Sequence, residues 1–236
     1  MRAWNVARFT ARSKCSVELD IRSVAMTEVQ AQGLYRRPTG MLEYGYWDEI
    51  SNAPMSTGHA IARFLVPALC HYEGWALFTD GDVLFRRDLS ALFALSDPRF
   101  AVQCVQHQHE PTATVKMEGQ TQTVYARKNW SSVLMFNCAH PANRALTVDL
   151  VNTVPGRDLH RFCWLDDSLV GSLPAEWNYL VGVNQPIADP AICHMTLGVP
   201  DMPGYEHCEF SDEWYHAARG CGYRLPRPAK VEQVSA

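Results

Sequence analysis

The sequence predicts an α/β fold in which helices flank a mixed, mostly parallel sheet. Three observations predict it. Residues 75–85 form an apolar run interrupted by two carboxylates, Asp80 and Asp82, on either side of Gly81. Residues 132–137, Ser-Val-Leu-Met-Phe-Asn, form a second run that closes at Asn137. Apolar runs of this length, bounded by turn residues, are those of buried strands. Ahead of the first run, Ile61, Phe64, Leu65 and Leu69 recur at helical spacing and line one face.

The remaining elements follow in chain order. Residues 3–13 read as a helix with a loose stripe of Trp4, Ala7 and Phe9. Arg2, Arg8, Arg12 and Lys14 without an acid also suit a transit peptide, but no small-residue cleavage signal or long apolar core follows. Val17, Leu19 and Ile21 alternate with polar residues, the period of a half-buried strand over 17–25. Pro38, Gly40 and Gly45 make 36–45 a loop. The helix over 56–72 takes Ser56 or Thr57 as its cap, has Pro67 as its weak point, and stops at Gly74. A short helix is expected at 88–95, a strand at 101–106 and a hairpin at 112–126 around Glu118-Gly119. Pro141 opens a helix to about Val151, residues 158–164 form another, and 179–183 and 191–194 are short strands.

The chain has 236 residues, enough for one α/β domain with a full core. We expect one domain over 1–236, with 200–236 an irregular, aromatic C-terminal extension frayed after Arg227. A net charge of −4 argues against nucleic acid and against a basic membrane-binding surface. No apolar run approaches the roughly 20 residues of a membrane helix. None of the eight cysteines forms a Cys-x-x-Cys pair, so buried reduced thiols and a cytoplasmic location, or one peripheral to a membrane, are expected.

Candidate chemistry gathers at the strand ends, where open α/β sheets place ligands. Residues i and i+2 of an extended chain point the same way, so Asp80 and Asp82 can meet one hard cation. Gly81 offers no side chain to block what the cation carries, which suits a diphosphate. The alternative is a solvated turn. His194 ends the apolar segment 191–194 and is either a satisfied core histidine or a third ligand. Imidazole with two carboxylates suits manganese better than calcium. The Asn137 amide can hold a ligand hydroxyl, or make a turn toward Pro141. Of Asp166 and Asp167, one can orient a sugar hydroxyl or cap the segment from Ser168. Arg63 can reach phosphate with its planar fork or snorkel to solvent. Lys128, beside Trp130, is a surface charge, or a diphosphate contact where its loop folds over the site.

Taken in order, these pieces resemble glycosyltransferase family 8: Arg63 on a helix, Asp80-Gly81-Asp82, Phe136-Asn137, Asp166-Asp167, Leu173-Pro174 before Trp177-Asn178, and Cys193-His194 with Gly198. The resemblance covers about 54–198. It implies a GT-A fold, a nucleotide-sugar donor, usually a UDP-sugar, and a manganese (or magnesium) ion held by Asp80, Asp82 and His194. It places Arg63, Gly81, Lys128 and Gly198 at the donor, and Asn137 and Asp166 or Asp167 at the sugar as candidate catalytic residues. The acceptor would be a hydroxyl of a glycan, lipid or protein, and transfer would retain configuration. Two departures stand out. The family's histidine motif normally carries a lysine, absent from His194-Met195-Thr196-Leu197-Gly198-Val199-Pro200. The chain also begins in the helix that follows the family's first strand, so that strand is expected to be missing. Both departures favour a degenerate domain that binds sugar or nucleotide without turnover. A haloacid-dehalogenase-type phosphatase is disfavoured, because Val83 and Leu84 stand where that motif needs Gly-Thr or similar.

Overall fold

The computed structural model describes residues 2–43, 45–108, 127 and 129–226. Its strands are β1 (Thr39–Leu42), β2 (Gly45–Asp48), β3 (Ala53–Met55), β4 (Trp75–Thr79), β5 (Val83–Phe85), β6 (Val102–Cys104), β7 (Val133–Asn137), β8 (Val170–Ser172), β9 (Tyr179–Leu180) and β10 (Ile192–His194). Its α-helices are α1 (Arg2–Lys14), α2 (Met26–Ala31), α3 (Val66–Leu69), α4 (Leu89–Phe93), α5 (Val148–Thr153), α6 (Gly156–His160) and α7 (Ser211–Gly220). The described residues group into two compact units, one within 1–21, 79–95 and 174–236 and the other within 22–78 and 96–173.

The first unit holds the sheet β5-β10-β9. β10 pairs antiparallel with β5 and parallel with β9. Helix α1 lies against β5, and the Thr10 hydroxyl accepts the Phe85 N–H at 3.2 Å, doing the work of a neighbouring strand. The buried face of α1 is Val6, Ala7, Thr10 and Ala11, so the expected stripe is rotated and Phe9 is partly exposed. Val6, Leu84, Tyr179, Cys193, Met195 and Trp214 form this unit's core. The C-terminal stretch expected to be irregular carries α7, whose Gly220 leaves no room for a Cβ beside the Phe9 ring.

The second unit holds the sheet β4-β7-β6-β8 and a separate antiparallel β1-β2-β3 sheet. β6 pairs antiparallel with β7 and parallel with β8. The sheets are therefore mixed, as expected. Among the registers described, β6/β8 and β9/β10 pair parallel. β7 is buried at every position, whereas β4, at a sheet edge among the described strands, is half-buried throughout. Phe64, Leu134, Phe136, Leu159 and Phe162 anchor the core.

Four local expectations fail. The strand expected over 17–25 does not form: the chain bends at Val17, which is exposed, and 18–25 joins no ladder among the described residues. The 36–45 loop contributes β1, because Gly45 at φ +121° lets the chain reverse into β2. The long helix over 56–72 shrinks to a 3-10 turn, Ala62–Leu65, followed by α3, where Pro67 sits in the first turn instead of kinking an interior. The helix from Pro141 likewise splits into a 3-10 turn and α5, with Thr147 capping the latter. The expected hairpin at 112–126 lies outside the described residues.

A buried ion pair ties the small sheet of the second unit to its helices. Arg37 Nε donates to Asp48 Oδ1 at 3.0 Å, and Nη2 pairs with Oδ2. Nη1 donates to the carbonyls of Val151 and Val154 at 2.7 and 2.8 Å. Ser51 donates to Asp48 and accepts from Gly156 N at 2.7 Å. Burial alone would raise the Asp48 carboxyl, but the Arg37 and Ser51 hydrogen bonds outweigh it and hold its pKa below the usual carboxylate value.

Candidate functional site

Asp80, Asp82 and His194 all lie in the first unit. Gly81 and Asp82 occupy a turn leading into β5, while His194 ends β10. The β5/β10 register sets His194 opposite Val83, and Met195 N donates to Asp82 O at 3.0 Å. Backbone pairing thus brings together residues more than a hundred positions apart. The carboxylates converge through this turn and not through simple strand alternation, which corrects the geometric reason for expecting them together.

One ligand atom from each of the three side chains lies within 4.8 Å of the other two. His194 Nε2 is 3.3 Å from Asp82 Oδ1 and 3.8 Å from Asp80 Oδ2. The imidazole is 3% exposed, and the carboxylates are partly open at 26% and 36%. Asp82 Oδ1 is buried and accepts no hydrogen bond among the described residues. A carboxylate oxygen buried this way carries a desolvation cost unless a donor or cation meets it. Two carboxylate oxygens and one imidazole nitrogen converging on a point fit a divalent ion such as manganese or magnesium. Gly81 keeps the approach open, since a Cβ there would meet only Trp4 Cβ, at 3.9 Å.

Gly198 has a packing role. A Cβ on it would lie 2.4 Å from Tyr205 Cδ2, so the Tyr205 ring fills the space that a side chain would need.

Arg63, Asn137, Asp166 and Asp167 lie in the second unit and are held by neighbours there. Arg63 is on the 3-10 turn and is 9% exposed, so it does not snorkel to solvent. Its Nε donates to Ala60 O at 2.9 Å and its Nη1 to Ser131 O at 2.7 Å, with the guanidinium over the Phe78 ring. Asn137 ends β7; its Nδ2 donates to Phe100 O at 3.4 Å, and its carbonyl accepts from Asn143 Nδ2 at 2.7 Å. Asp166 takes the capping role: Oδ1 accepts from Ser168 N at 2.9 Å and Oγ at 2.6 Å, which holds its pKa below the usual carboxylate value. Asp167 is exposed and pairs with Arg127, which also lies over Trp130 and Phe162. Lys128 lies outside the described residues. Thr10 and Met195 fix the frame of the Asp80–Asp82–His194 group, one through a helix hydroxyl and the other through its backbone, and neither leaves a motif in the sequence.

No model of a protein family matches the chain. Protein CDI of Arabidopsis thaliana is 40% identical over 217 residues, which is 90% of this chain and 79% of that protein. The chain belongs to the Protein CDI family. Among solved structures, an active-site mutant of LgtC superposes on this CDI-family chain with a TM-score of 0.55 at 14% identity, covering 93% of this chain and 91% of LgtC. The galactosyltransferase LgtC in complex with donor and acceptor sugar analogues gives 0.54 at 13% identity over the same shares. The glycosyltransferase GlyE of Streptococcus pneumoniae TIGR4 gives 0.54 at 14% identity, covering 98% of this chain and 63% of GlyE. The chain spans 36% of the bifunctional glycosyltransferase WbbM. At these identities the likeness is one of fold: the CDI-family chain has the α/β fold of GT-A-type glycosyltransferases. None of its described helices is long and apolar enough to cross a membrane.

Proposed function

We propose that the chain is a metal-dependent glycosyltransferase of the hexosyltransferase type. It moves a sugar from a nucleotide-sugar, a UDP-sugar, to a hydroxyl of a glycan, lipid or protein acceptor with retention of configuration. The observation that carries this reading is the Asp80–Asp82–His194 cluster, with ligand atoms within 4.8 Å of one another, in a chain of GT-A fold. A bound manganese or magnesium ion supplies positive charge against the diphosphate leaving group.

The chain's own residues do the rest. Asp80, Asp82 and His194 hold the ion, and the bare Gly81 lets the diphosphate approach. The donor roles of Arg63, Lys128 and Gly198, and the sugar roles of Asn137, Asp166 and Asp167, rest on the family resemblance. Gly198 has the weakest claim, because Tyr205 already accounts for the glycine. The proposed compartment is the cytoplasm or a membrane periphery, supported by eight cysteines with no staple spacing.

A panel of UDP-sugars with manganese tests this reading, with UDP release as the readout. One donor should give metal-dependent release that Asp82→Ala abolishes. Each tenfold of rate corresponds to about 1.4 kcal/mol, so losing the charge against the leaving group should cost several tenfolds. Unchanged turnover in the variant removes Asp82 from the site.

One observation favours a second reading, a domain that binds donor without turnover. Residues 194–200 contain no lysine, and Arg63 already donates to the carbonyls of Ala60 and Ser131. Calorimetry with UDP plus manganese separates the two, since binding without release by any donor identifies the second.

A further inference from the structure

Two of the eight cysteines meet. Cys70 caps the C-terminus of α3, and Cys138 is the first residue after β7. Cys70 packs against the core cluster that contains Cys138, close enough for the two thiols to interact, and the Cys138 thiol donates to Phe136 O at 3.9 Å. The surrounding chain holds them there: Ala139 N donates to Gly74 O at 3.4 Å, and Tyr72 Oη donates to Leu146 O at 3.1 Å. Both sulfurs border the core that contains Leu65, Leu134 and Phe136. Cys138 is fully buried and Cys70 is half-buried. A small oxidant therefore reaches Cys70 first, with Cys138 directly behind it.

Cys104, Cys193 and Cys221 lack this combination. Cys104 is sealed in the same core, and burial pushes its thiol up to about 12. Cys193 is sealed in the core of the other unit. The Cys221 thiol donates to Asn5 O at 3.4 Å.

We propose that Cys70 and Cys138 form a peroxide-responsive thiol–disulfide pair that ties the end of α3 to the residue following Asn137. In the first step the Cys70 sulfur, as thiolate, attacks one oxygen of hydrogen peroxide. The O–O bond breaks, hydroxide leaves and takes up a proton as water, and Cys70 becomes a sulfenic acid. In the second step the Cys138 sulfur attacks the sulfenic sulfur. The S–O bond breaks, and the departing hydroxide leaves with the Cys138 proton as water. The two thiols lose two electrons, which the peroxide gains. The hydrogen bond with Cys70, together with burial, holds the Cys138 thiol protonated well above the usual range. The product constrains the backbone beside Asn137, whose carbonyl holds Asn143. The inference needs no sugar chemistry and stands apart from the proposed function.

The test treats the full folded chain with a small excess of hydrogen peroxide, blocks the remaining thiols with an alkylating agent, and maps the peptides by mass spectrometry. The expected result is a cross-linked pair containing Cys70 and Cys138, two hydrogen masses lighter than the separate peptides and released by dithiothreitol. Both thiols should vanish from titration together. In Cys138→Ala the cross-link should be lost and Cys70 should be trapped by a sulfenic-acid reagent. In Cys70→Ser, Cys138 should stay a free thiol, and this half-exposed position decides the matter where the core variant does not fold. The proposal is overturned if Cys70 stays alkylatable, proceeds to sulfinic acid with Cys138 still free, or links to a different cysteine.

Discussion

Replacing Gly198 by alanine separates packing from ligand binding at a residue that the family resemblance places beside the donor. An alanine Cβ would lie 2.4, 2.5 and 2.8 Å from Tyr205 Cδ2, Cε2 and Cγ, all under the 3.0 Å that real Cβ atoms essentially never breach. The backbone on both sides is tied. Gly198 N bonds Met195 O at 3.0 Å, Met202 N bonds Val199 O at 2.9 Å, and Tyr205 N bonds Met202 O at 3.1 Å. Gly198 is outside the left-handed region, so backbone strain adds nothing. Overpacking of this kind costs roughly 1–3 kcal/mol. With three ring atoms in conflict, we expect about 2 kcal/mol, read as a lower urea midpoint at constant slope. Tyr205→Ala empties the space, so in that background Gly198→Ala should cost less than about 0.5 kcal/mol. Equal costs in both backgrounds would refute the packing argument. A fully stable Gly198→Ala chain that has lost UDP binding would return the glycine to the donor site.

Asp48→Ala leaves Arg37 charged and unpaired in the core of the second unit, and should destabilise the chain by about 3–5 kcal/mol in denaturant melts. The Asp48 pKa is held below its unfolded value of 3.8, so its contribution is present above that value and fades as pH falls through the native one; Asp48→Asn should flatten wild-type acid melting below about pH 4. His160 donates to or accepts from Ser131 Oγ at 2.7 Å, and burial followed by the nearby Arg63 charge lowers its pKa from 6.5 to about 3. The unfolded chain therefore binds the extra proton first, and stability should fall as pH drops from about 6.5 toward 3. The gap corresponds to at most about 5 kcal/mol at 1.36 kcal/mol per unit, and roughly half that once the solvent-open part of the ring is allowed for. His160→Gln should reduce the slope of stability against pH in that window, and an unchanged slope would assign the acid sensitivity elsewhere.

The candidates Asp80, Asp82 and His194 are legible because their signals are local. A turn of Asp-Gly-Asp after an apolar run, and a histidine ending a short strand, each carry their own cue. Their meeting depends on the β5/β10 register, a long-range pairing that no local window contains. The same limit explains the β1-β2 hairpin, where Pro38 and Gly40 suggest loop while cross-strand pairing decides otherwise. Pro67 was read as an interior residue because the apolar spacing runs on past it; the backbone instead starts α3 there. Asp166 shows a different ambiguity. Its sequence suits both a sugar ligand and a cap, and the nearby Ser168 backbone and hydroxyl claim it. Asp167 meets Arg127 from across the second unit, a partner that spacing cannot reveal.

Manganese binding, followed by the loss of the free-ion electron paramagnetic resonance signal with and without UDP, probes the Asp80–Asp82–His194 group itself. Saturable one-site binding to the wild-type chain is expected, tightened by UDP and abolished in Asp82→Ala and His194→Ala variants that keep the wild-type circular dichroism spectrum. Absence of binding to the folded wild-type chain, or binding that survives both substitutions, would contradict that expectation.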